Sequence, residues 1–104
     1  MVEAREILIA DLANPLGIGE LAFRVGISPR KLNEAFRKAC GMTVFAWLAE
    51  WRLSHAAELL REGRRPIKEI AASFGYRHVN NFTNAFTRKF GISPARYRKQ
   101  GGKQ

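Results

Sequence analysis

The chain has 104 residues and carries 18 Lys and Arg against nine Asp and Glu, a formal net charge of +9 at pH 7. This length limits it to one compact body or two very small ones, and the charge favours an anionic partner such as nucleic acid or a membrane surface. One cysteine excludes an internal disulfide, and two histidines are too few for a metal-ligand cluster, so we expect no metal and no cofactor.

The excess charge lies in one part of the chain. Residues 1–63 hold eight basic and eight acidic side chains, whereas residues 64–104 hold ten basic residues and Glu69 as their only acid. Charges interrupt every apolar stretch, and residues 1–13 lack the basic start and apolar middle of a signal peptide. We therefore expect a soluble cytoplasmic protein, associated with the nucleoid if its partner is DNA, and no membrane contact.

The first elements are predicted to be helices, because their apolar residues recur every three to four positions. The apolar face of a first helix is formed by Ala4, Ile7, Leu8 and Leu12. Asn14 and Pro15 are expected to end this helix. A short second helix around Leu21 is expected to end at Gly26, and its start is weak because Gly17 stands where a hydroxyl cap would.

Stronger end signals surround the next two helices. Ser28 followed by Pro29 predicts the start of a third helix, which runs to about Cys40 and stops at Gly41. Thr43 opens a long fourth helix that is apolar almost all round, so we expect it to be buried on several sides. Its apolar residues are Val44, Phe45, Trp47, Leu48, Trp51, Leu53, Ala56, Leu59 and Leu60.

The remaining helices repeat the second and third. The predicted fifth helix covers residues 67–74, the sixth about residues 78–90, and Ser93 with Pro94 caps a short seventh. Glu20, Leu21, Ala22 and Gly26 return as Glu69, Ile70, Ala71 and Gly75, at an offset of 49. Leu32, Phe36, Lys38, Gly41 and Trp47 return as Phe82, Phe86, Arg88, Gly91 and Tyr97, at an offset of 50. Each copy is a short helix, a turn and a longer helix, which predicts a helix-turn-helix.

The polar faces of the third and sixth helices point to DNA. The third carries Arg30, Lys31, Glu34, Arg37 and Lys38, with Asn33 at the edge. The sixth carries Arg77, Asn80, Asn81, Asn84, Thr87 and Arg88, with Thr83 at the edge. Asparagine disfavours helix but pairs well with adenine in the major groove, as Arg does with guanine and Glu with cytosine. An ordinary solvated face is the alternative, and either copy alone could be a plain helical hairpin.

These patterns resemble the C-terminal DNA-binding domain of AraC/XylS-family bacterial transcription regulators over residues 7–98. The matching segments are GISPRKLNEAFRKACG, WRLSHAAELL, PIKEIAASFGY and FTNAFTRKFGISPARYR. The resemblance implies a single all-α DNA-binding domain of about seven helices. Its parts would be a first helix-turn-helix subdomain over residues 3–41, a long buried linker helix over 43–62, a second subdomain over 66–99 and a flexible tail over 100–104.

The resemblance also implies which side chains contact DNA. Base contacts fall on Arg30, Asn33, Glu34, Asn80, Asn81, Thr83 and Asn84. Phosphate contacts are expected at Arg37, Lys38, Arg88 and Lys89, and on the same faces at Lys31, Arg77 and Thr87. A linker of roughly 18 residues is about 27 Å long, comparable with the ~34 Å between successive major grooves. The two helices are therefore expected to read adjacent grooves of double-stranded DNA.

Two features depart from the family pattern. Gly17 replaces the usual hydroxyl cap of the second helix, and phosphate would repel Glu34 unless a cytosine or Arg30 engages it. Family members usually have a sensing or dimerisation domain before this one, so we expect any effector ligand to bind such an absent N-terminal domain. We favour an excised domain with an added Met1 over a naturally short member.

Other functions compete with DNA binding. A helical protein-interaction module that contacts RNA polymerase or another partner is the main alternative, and a DNA-repair enzyme without its catalytic domain is a third. No nucleophile, base and orienting acid form a catalytic set, so we expect no catalytic residues and no enzyme activity.

Overall fold

The computed structural model describes residues 2–12 and 16–101, and within these ranges it contains seven α-helices and no β-strand. The helices are α1 (Val2–Ala10), α2 (Ile18–Val25), α3 (Pro29–Cys40), α4 (Val44–Glu62), α5 (Ile67–Ser73), α6 (Val79–Phe90) and α7 (Pro94–Gly101). The all-α prediction is confirmed. Asn14 and Pro15, the predicted end of the first helix, lie outside the described residues.

The chain divides into two compact units, and the boundary lies between Glu50 and Trp51, inside α4. We call them the first and second unit. The linker helix thus contributes its first residues to one core and the rest to the other. One expectation about α4 is wrong: Phe45, which the apolar pattern places among its buried residues, is 51% exposed. The apolar residues of α4 exceed the number that its packed faces can cover.

The first unit packs α1, α2, α3 and the start of α4 around apolar residues at helical spacing. Its buried cluster consists of Ala4, Leu8, Leu21, Ala22, Leu32, Phe36, Val44 and Leu48. The ring of Phe36 meets Trp47 edge to face at 5.9 Å between centroids, and the Arg5 guanidinium lies 5.4 Å from the Trp47 ring centroid. Such contacts add a cation–π attraction to apolar burial. They hold α3 against the start of α4.

Aromatic residues dominate the second unit. The ring of Phe86 lies 5.7 Å from Phe82, 4.4 Å from Phe90 and 5.3 Å from Tyr97, measured between centroids. Phe82 and Phe86 are fully buried. The aromatic stripe of α6 is therefore core, as its helical spacing predicts, and the opposite face of α6 is left to solvent.

The turn between α2 and α3 follows the glycine and cap signals. Gly26 has φ of 82°, in the left-handed region where glycine is free of strain, and its N–H and that of Ile27 both bond to the Ala22 carbonyl. The Ser28 hydroxyl oxygen accepts a hydrogen bond from the Lys31 backbone N–H at 3.2 Å. Gly17 makes no side-chain cap, as expected. The angle between α2 and α3 is thus set by local backbone bonds.

The repeat is visible in three dimensions as well as in the sequence. Residues 31–50 correspond to residues 81–100 at an offset of 50, and the paired positions have nearly the same burial. Leu32 and Phe82 are both buried, and Asn33 and Thr83 are both half-buried. Thr43 and Ser93 both cap a following helix, accepting from backbone N–H groups at 3.3 and 3.2 Å. The two copies share one scaffold that extends into α4 and α7.

The last helix is longer than expected. Gln100 and Gly101 belong to α7, so the predicted tail over 100–104 is wrong for these two residues, and 102–104 lie outside the described residues. Arg98 links α7 to the end of α4 and the segment that follows it. Its Nε donates to the Leu60 carbonyl at 3.3 Å, and its Nη2 donates to the Arg65 carbonyl. The guanidinium thereby caps the carbonyl end of α4.

Candidate DNA interface

The outward face of α3 carries the charged residues that the sequence places there. Leu32 and Phe36 face the core, whereas five charged side chains of the opposite face are exposed: Arg30, Lys31, Glu34, Arg37 and Lys38. Asn33 lies at the edge and is partly buried. A helix with one buried stripe and an exposed charged face is suited to entering a groove lined with anions.

Arg30 and Glu34 form an ion pair on this face. The Nε of Arg30 lies 3.5 Å from Oε1 of Glu34, and their side chains are 89% and 58% exposed. So exposed a pair contributes only about 0.3–0.5 kcal/mol. It nevertheless neutralises Glu34 toward phosphate and turns one edge of the guanidinium toward the carboxylate, while the two Nη groups keep donors for a base. Arg30 thus engages Glu34, as one of the two partners, cytosine or Arg30, that were expected to offset its repulsion by phosphate.

Asn33 has a partner that the sequence analysis missed. Its side-chain Oδ1 accepts a hydrogen bond from the Val44 backbone N–H at 3.1 Å, in a partly buried position. Val44 is the first residue of α4, where the backbone N–H has no partner within the helix. The bond ties the middle of α3 to the start of α4. Nothing in the local sequence signals it, because the two residues are eleven positions apart.

The outward face of α6 is polar and nearly uncharged at its start. The side chains of Asn80, Asn81, Asn84, Thr87 and Arg88 are exposed, and Thr83 is partly buried. Arg77 is exposed just before the helix. His78, at the N-cap of α6, makes no side-chain capping hydrogen bond. The structure thus brings these second-copy side chains to one side of α6 and its leading turn, whereas Lys89, nine residues after Asn80, points away from that side.

Tyr76 connects the turn before α6 to the buried residues of the second unit. Its backbone N–H bonds to the Ala71 carbonyl at 3.0 Å, and its ring lies 5.4 Å from the Phe82 ring centroid. The Arg52 guanidinium lies 5.8 Å from the Tyr76 ring centroid. Burial raises the pKa of Tyr76, an effect that the charge of Arg52 partly offsets, and burial lowers the pKa of Arg52. Tyr76 therefore favours its neutral form in the folded unit.

Four basic residues of the second unit differ in what their charged groups contact. Arg98 and Arg65 have internal partners, Arg65 through a bond to the Ser73 hydroxyl at 3.0 Å. Arg88 and Lys89 end α6 with exposed side chains, and the Lys89 ammonium lies 5.4 Å from the Phe90 ring centroid. Of these four, only Arg88 and Lys89 present their charge on the same helix as the asparagines.

Other kinds of site find little support in the described ranges. No group of three or more His, Cys, Asp or Glu side chains there could hold a metal ion. No helix among those residues is long and apolar enough to cross a bilayer. Cys40 is a partly buried free thiol whose Sγ donates to the Phe36 carbonyl.

Comparison with known proteins gives a consistent relationship. A family model described as a helix-turn-helix domain matches residues 21–100. The HTH-type transcriptional activator RhaR of Cronobacter sakazakii is 35% identical over 104 residues, covering 96% of this chain and 37% of the relative. RhaR of Klebsiella pneumoniae is 34% identical over 93 residues, covering 89% and 33%. The chain spans about a third of the length of these relatives.

Solved structures agree with the sequence relatives. A transcriptional regulator with an AraC-type DNA-binding domain from Chromobacterium violaceum matches with a TM-score of 0.86 and 28% identity, over 97% of this chain and 90% of that one. The DNA-binding domain of AdpA, solved in complex with a target DNA, matches with a TM-score of 0.84 and 28% identity, over 95% and 89%. Together with the family model, these matches show that the chain belongs to the AraC/XylS family of transcription regulators and forms its helix-turn-helix DNA-binding domain rather than an enzyme.

Proposed function

We propose that the domain reads double-stranded DNA with α3 and α6, each placed in a major groove and the two grooves adjacent along one site. The observation that carries this proposal is the repeat itself. Buried positions of α3 and α6 correspond at an offset of 50, while the exposed ones differ, as Glu34 against Asn84 and Arg30 against Asn80 do. A conserved scaffold with changed polar groups is expected of two readers of different base sequences.

The proposed contacts divide into readers and anchors. Base edges would be contacted by Arg30, Asn33, Glu34, Asn80, Asn81, Thr83 and Asn84, all on α3 or α6. Phosphates would be contacted by Lys31, Arg37, Lys38, Arg77, Arg88 and Lys89, whose side chains are exposed. The charged face of α3 favours a G/C-containing half-site, and the asparagines of α6 favour A/T.

Site selection from random duplexes is the direct test. Expected is a bipartite site with two conserved elements one helical turn apart, bound more tightly than random competitor DNA in a gel-shift titration. Equal binding to selected and random duplexes at every salt concentration would refute sequence-specific recognition. Since the curated relatives are named transcriptional activators, activation of transcription is the role we assign to the intact protein.

Contact with a partner protein such as RNA polymerase is a second candidate. The side chain of Phe23 on α2 is 84% exposed and borders an open groove with Ile27 and Lys31. Its counterpart in the second copy is Ala72, so the scaffold does not require a phenylalanine here. Loss of a polymerase supershift on a DNA-bound complex in Phe23→Ser, with unchanged DNA binding, would support this role. An unchanged supershift would exclude Phe23 from it. Effector binding by the intact protein is assigned to sequence outside these 104 residues.

A further inference from the structure

We propose that Asn33 presents its Nδ2 donors to DNA, because the Val44 N–H holds its carbonyl oxygen toward the start of α4, and that this orientation of the amide sets base preference in the first half-site. The inference rests on the proposed function of α3. It assigns Asn33 a narrower recognition than the two-pronged pairing with adenine that an unconstrained asparagine makes.

The orientation of the amide follows from the chemistry of its partner. A backbone N–H can bond only to an acceptor, so the atom facing Val44 at 3.1 Å is the oxygen of Asn33 and not its nitrogen. The oxygen keeps a second lone pair, but it is held toward α4, and in the planar amide Nδ2 points away from the oxygen. The group turned away from α4 therefore carries two N–H donors. Guanine N7 and O6, adenine N7 and thymine O4 are acceptors in the major groove, whereas cytosine offers the N4 amino donor.

The second copy lacks this arrangement at both ends. At an offset of 50, Thr83 replaces Asn33 and Pro94 replaces Val44. Pro94 has no backbone N–H to donate, and a threonine hydroxyl is shorter than an asparagine amide. Val44 and Pro94 nevertheless occupy the same structural position, since each is the first residue of its helix and each is fully buried. The donor and acceptor are present together in the first copy and absent together in the second.

The difference between Val44 and Pro94 suggests a substitution that removes the N–H bonded to Asn33. Val44→Pro introduces the residue that the other copy already carries at this buried position, and proline is well accepted at the first position of a helix. It removes the N–H that holds Oδ1 and touches no DNA itself. The Asn33 amide is then free to turn its oxygen outward beside its Nδ2 donors, and adenine N6 and N7 require this acceptor and donor together. Val44→Ala is the matched control, because it shortens the side chain but keeps the N–H.

The experiment is site selection from random duplexes with the full 104-residue chain and its variants, each first shown to fold by its thermal unfolding. Relative to the parent, Val44→Pro is expected to gain roughly three- to tenfold preference for adenine at one base pair of the first half-site, the range for one added hydrogen bond. Val44→Ala is expected to keep the parental preference. The double variant Asn33→Ala with Val44→Pro should match Asn33→Ala alone.

Other outcomes would overturn the inference. A folded Val44→Pro with the parental preference would show that the Val44 bond does not shape recognition, and Asn33→Ala with the parental preference would leave Asn33 only a structural tie. Asn33→Asp gives an independent test if Val44→Pro does not fold. Its carboxylate can still accept from Val44 but presents an acceptor outward, so preference should shift toward cytosine or adenine; no shift would also refute the proposal. A parent without any base preference would instead contradict the proposed function.

Discussion

The hydroxyl of Thr87 donates a hydrogen bond to the backbone carbonyl oxygen of Thr83, at 2.7 Å. A hydroxyl has a single proton, so Thr87 cannot donate to a phosphate while this bond is made. The exposed groups that it offers are its methyl group and its oxygen lone pairs. The phosphate contact expected of Thr87 from its position on α6 thus conflicts with its local hydrogen bonding.

Thr87→Val tests this conflict, because valine keeps the shape and loses the proton. We expect DNA affinity within about twofold of the parent, since the hydroxyl lost in this variant is bonded internally. Fluorescence anisotropy with the selected duplex measures it. The matched control is Arg88→Ala on the same face, which should weaken binding; a fivefold or greater loss in Thr87→Val would restore the phosphate contact.

Arg88 and Lys89 should account for separate steps of salt dependence. Each phosphate contact releases counterions, so replacing either residue with alanine should reduce the slope of log K against log salt by about 0.9 in magnitude. Arg24→Ala is the control, since Arg24 is also exposed but pairs with Glu20 on α2 at 3.1 Å. Its slope should equal that of the parent. Slopes unchanged in Arg88→Ala and Lys89→Ala would remove both residues from the interface.

Glu34→Ala is expected to relax base preference at one position of the first half-site by about 1–3 kcal/mol, through loss of a cytosine contact or release of Arg30. Glu20→Ala breaks the other i,i+4 pair, with Arg24, away from the proposed groove face. It should leave preference unchanged. Site selection on the three proteins compares them, and identical preferences for Glu34→Ala and the parent would exclude this role.

Gly41 and Gly91 cap the C-terminal ends of α3 and α6, with φ of 73° and 81°. A Cβ built at either position meets no atom within 4 Å, so the cost of a side chain there is backbone strain alone. Gly41→Ala should therefore lower the free energy of unfolding by about 1–2 kcal/mol, and Gly41→Asn by less, because asparagine tolerates the left-handed region. Urea unfolding measures both. Equal losses would mean that crowding, not φ, sets the cost.

The raised pKa of Tyr76 predicts that the folded protein loses stability at alkaline pH. Its folded pKa is raised by burial, so the neutral ring's contribution is complete below the unfolded pKa of about 10 and is lost as pH rises through the folded value. Tyr76→Phe cannot ionise and should lose less stability between pH 8 and 11 than the parent. Urea unfolding across this range compares them, with lysine titration common to both. Parallel curves would contradict the raised pKa.

The helices and their outward faces were predictable because their signals are local. Apolar spacing, Ser28 before Pro29 and Gly41 after Cys40 each act within a few residues, and the structure places α3 at Pro29–Cys40 as expected. The Asn33 bond to Val44 depends on how two helices pack, which periodicity does not encode. Phe45 is exposed for the same reason: apolar spacing does not show which faces find a partner.

Gly101 illustrates a second limit of local signals. A glycine after a helical pattern suggests that the helix stops before it, yet Gly101 is itself helical and is the last described residue of α7. A Cβ at this position would lie 3.2 Å from Cγ of Arg61, so a larger residue would crowd the end of α4. The lack of a side chain serves close packing here. Glycine therefore follows α3 as a left-handed cap at Gly41 but lies within α7 at Gly101.

The hydrogen bonds of Arg98 to the Leu60 and Arg65 carbonyls join residues 38 and 33 positions apart. Synthesis on the ribosome proceeds from the N-terminus, so these bonds can form only after residue 98 has emerged. The buried cluster of the first unit, by contrast, is complete at Leu48. The first helix-turn-helix can thus fold during translation. The C-terminal end of α4 gains its hydrogen bond from Arg98 only later.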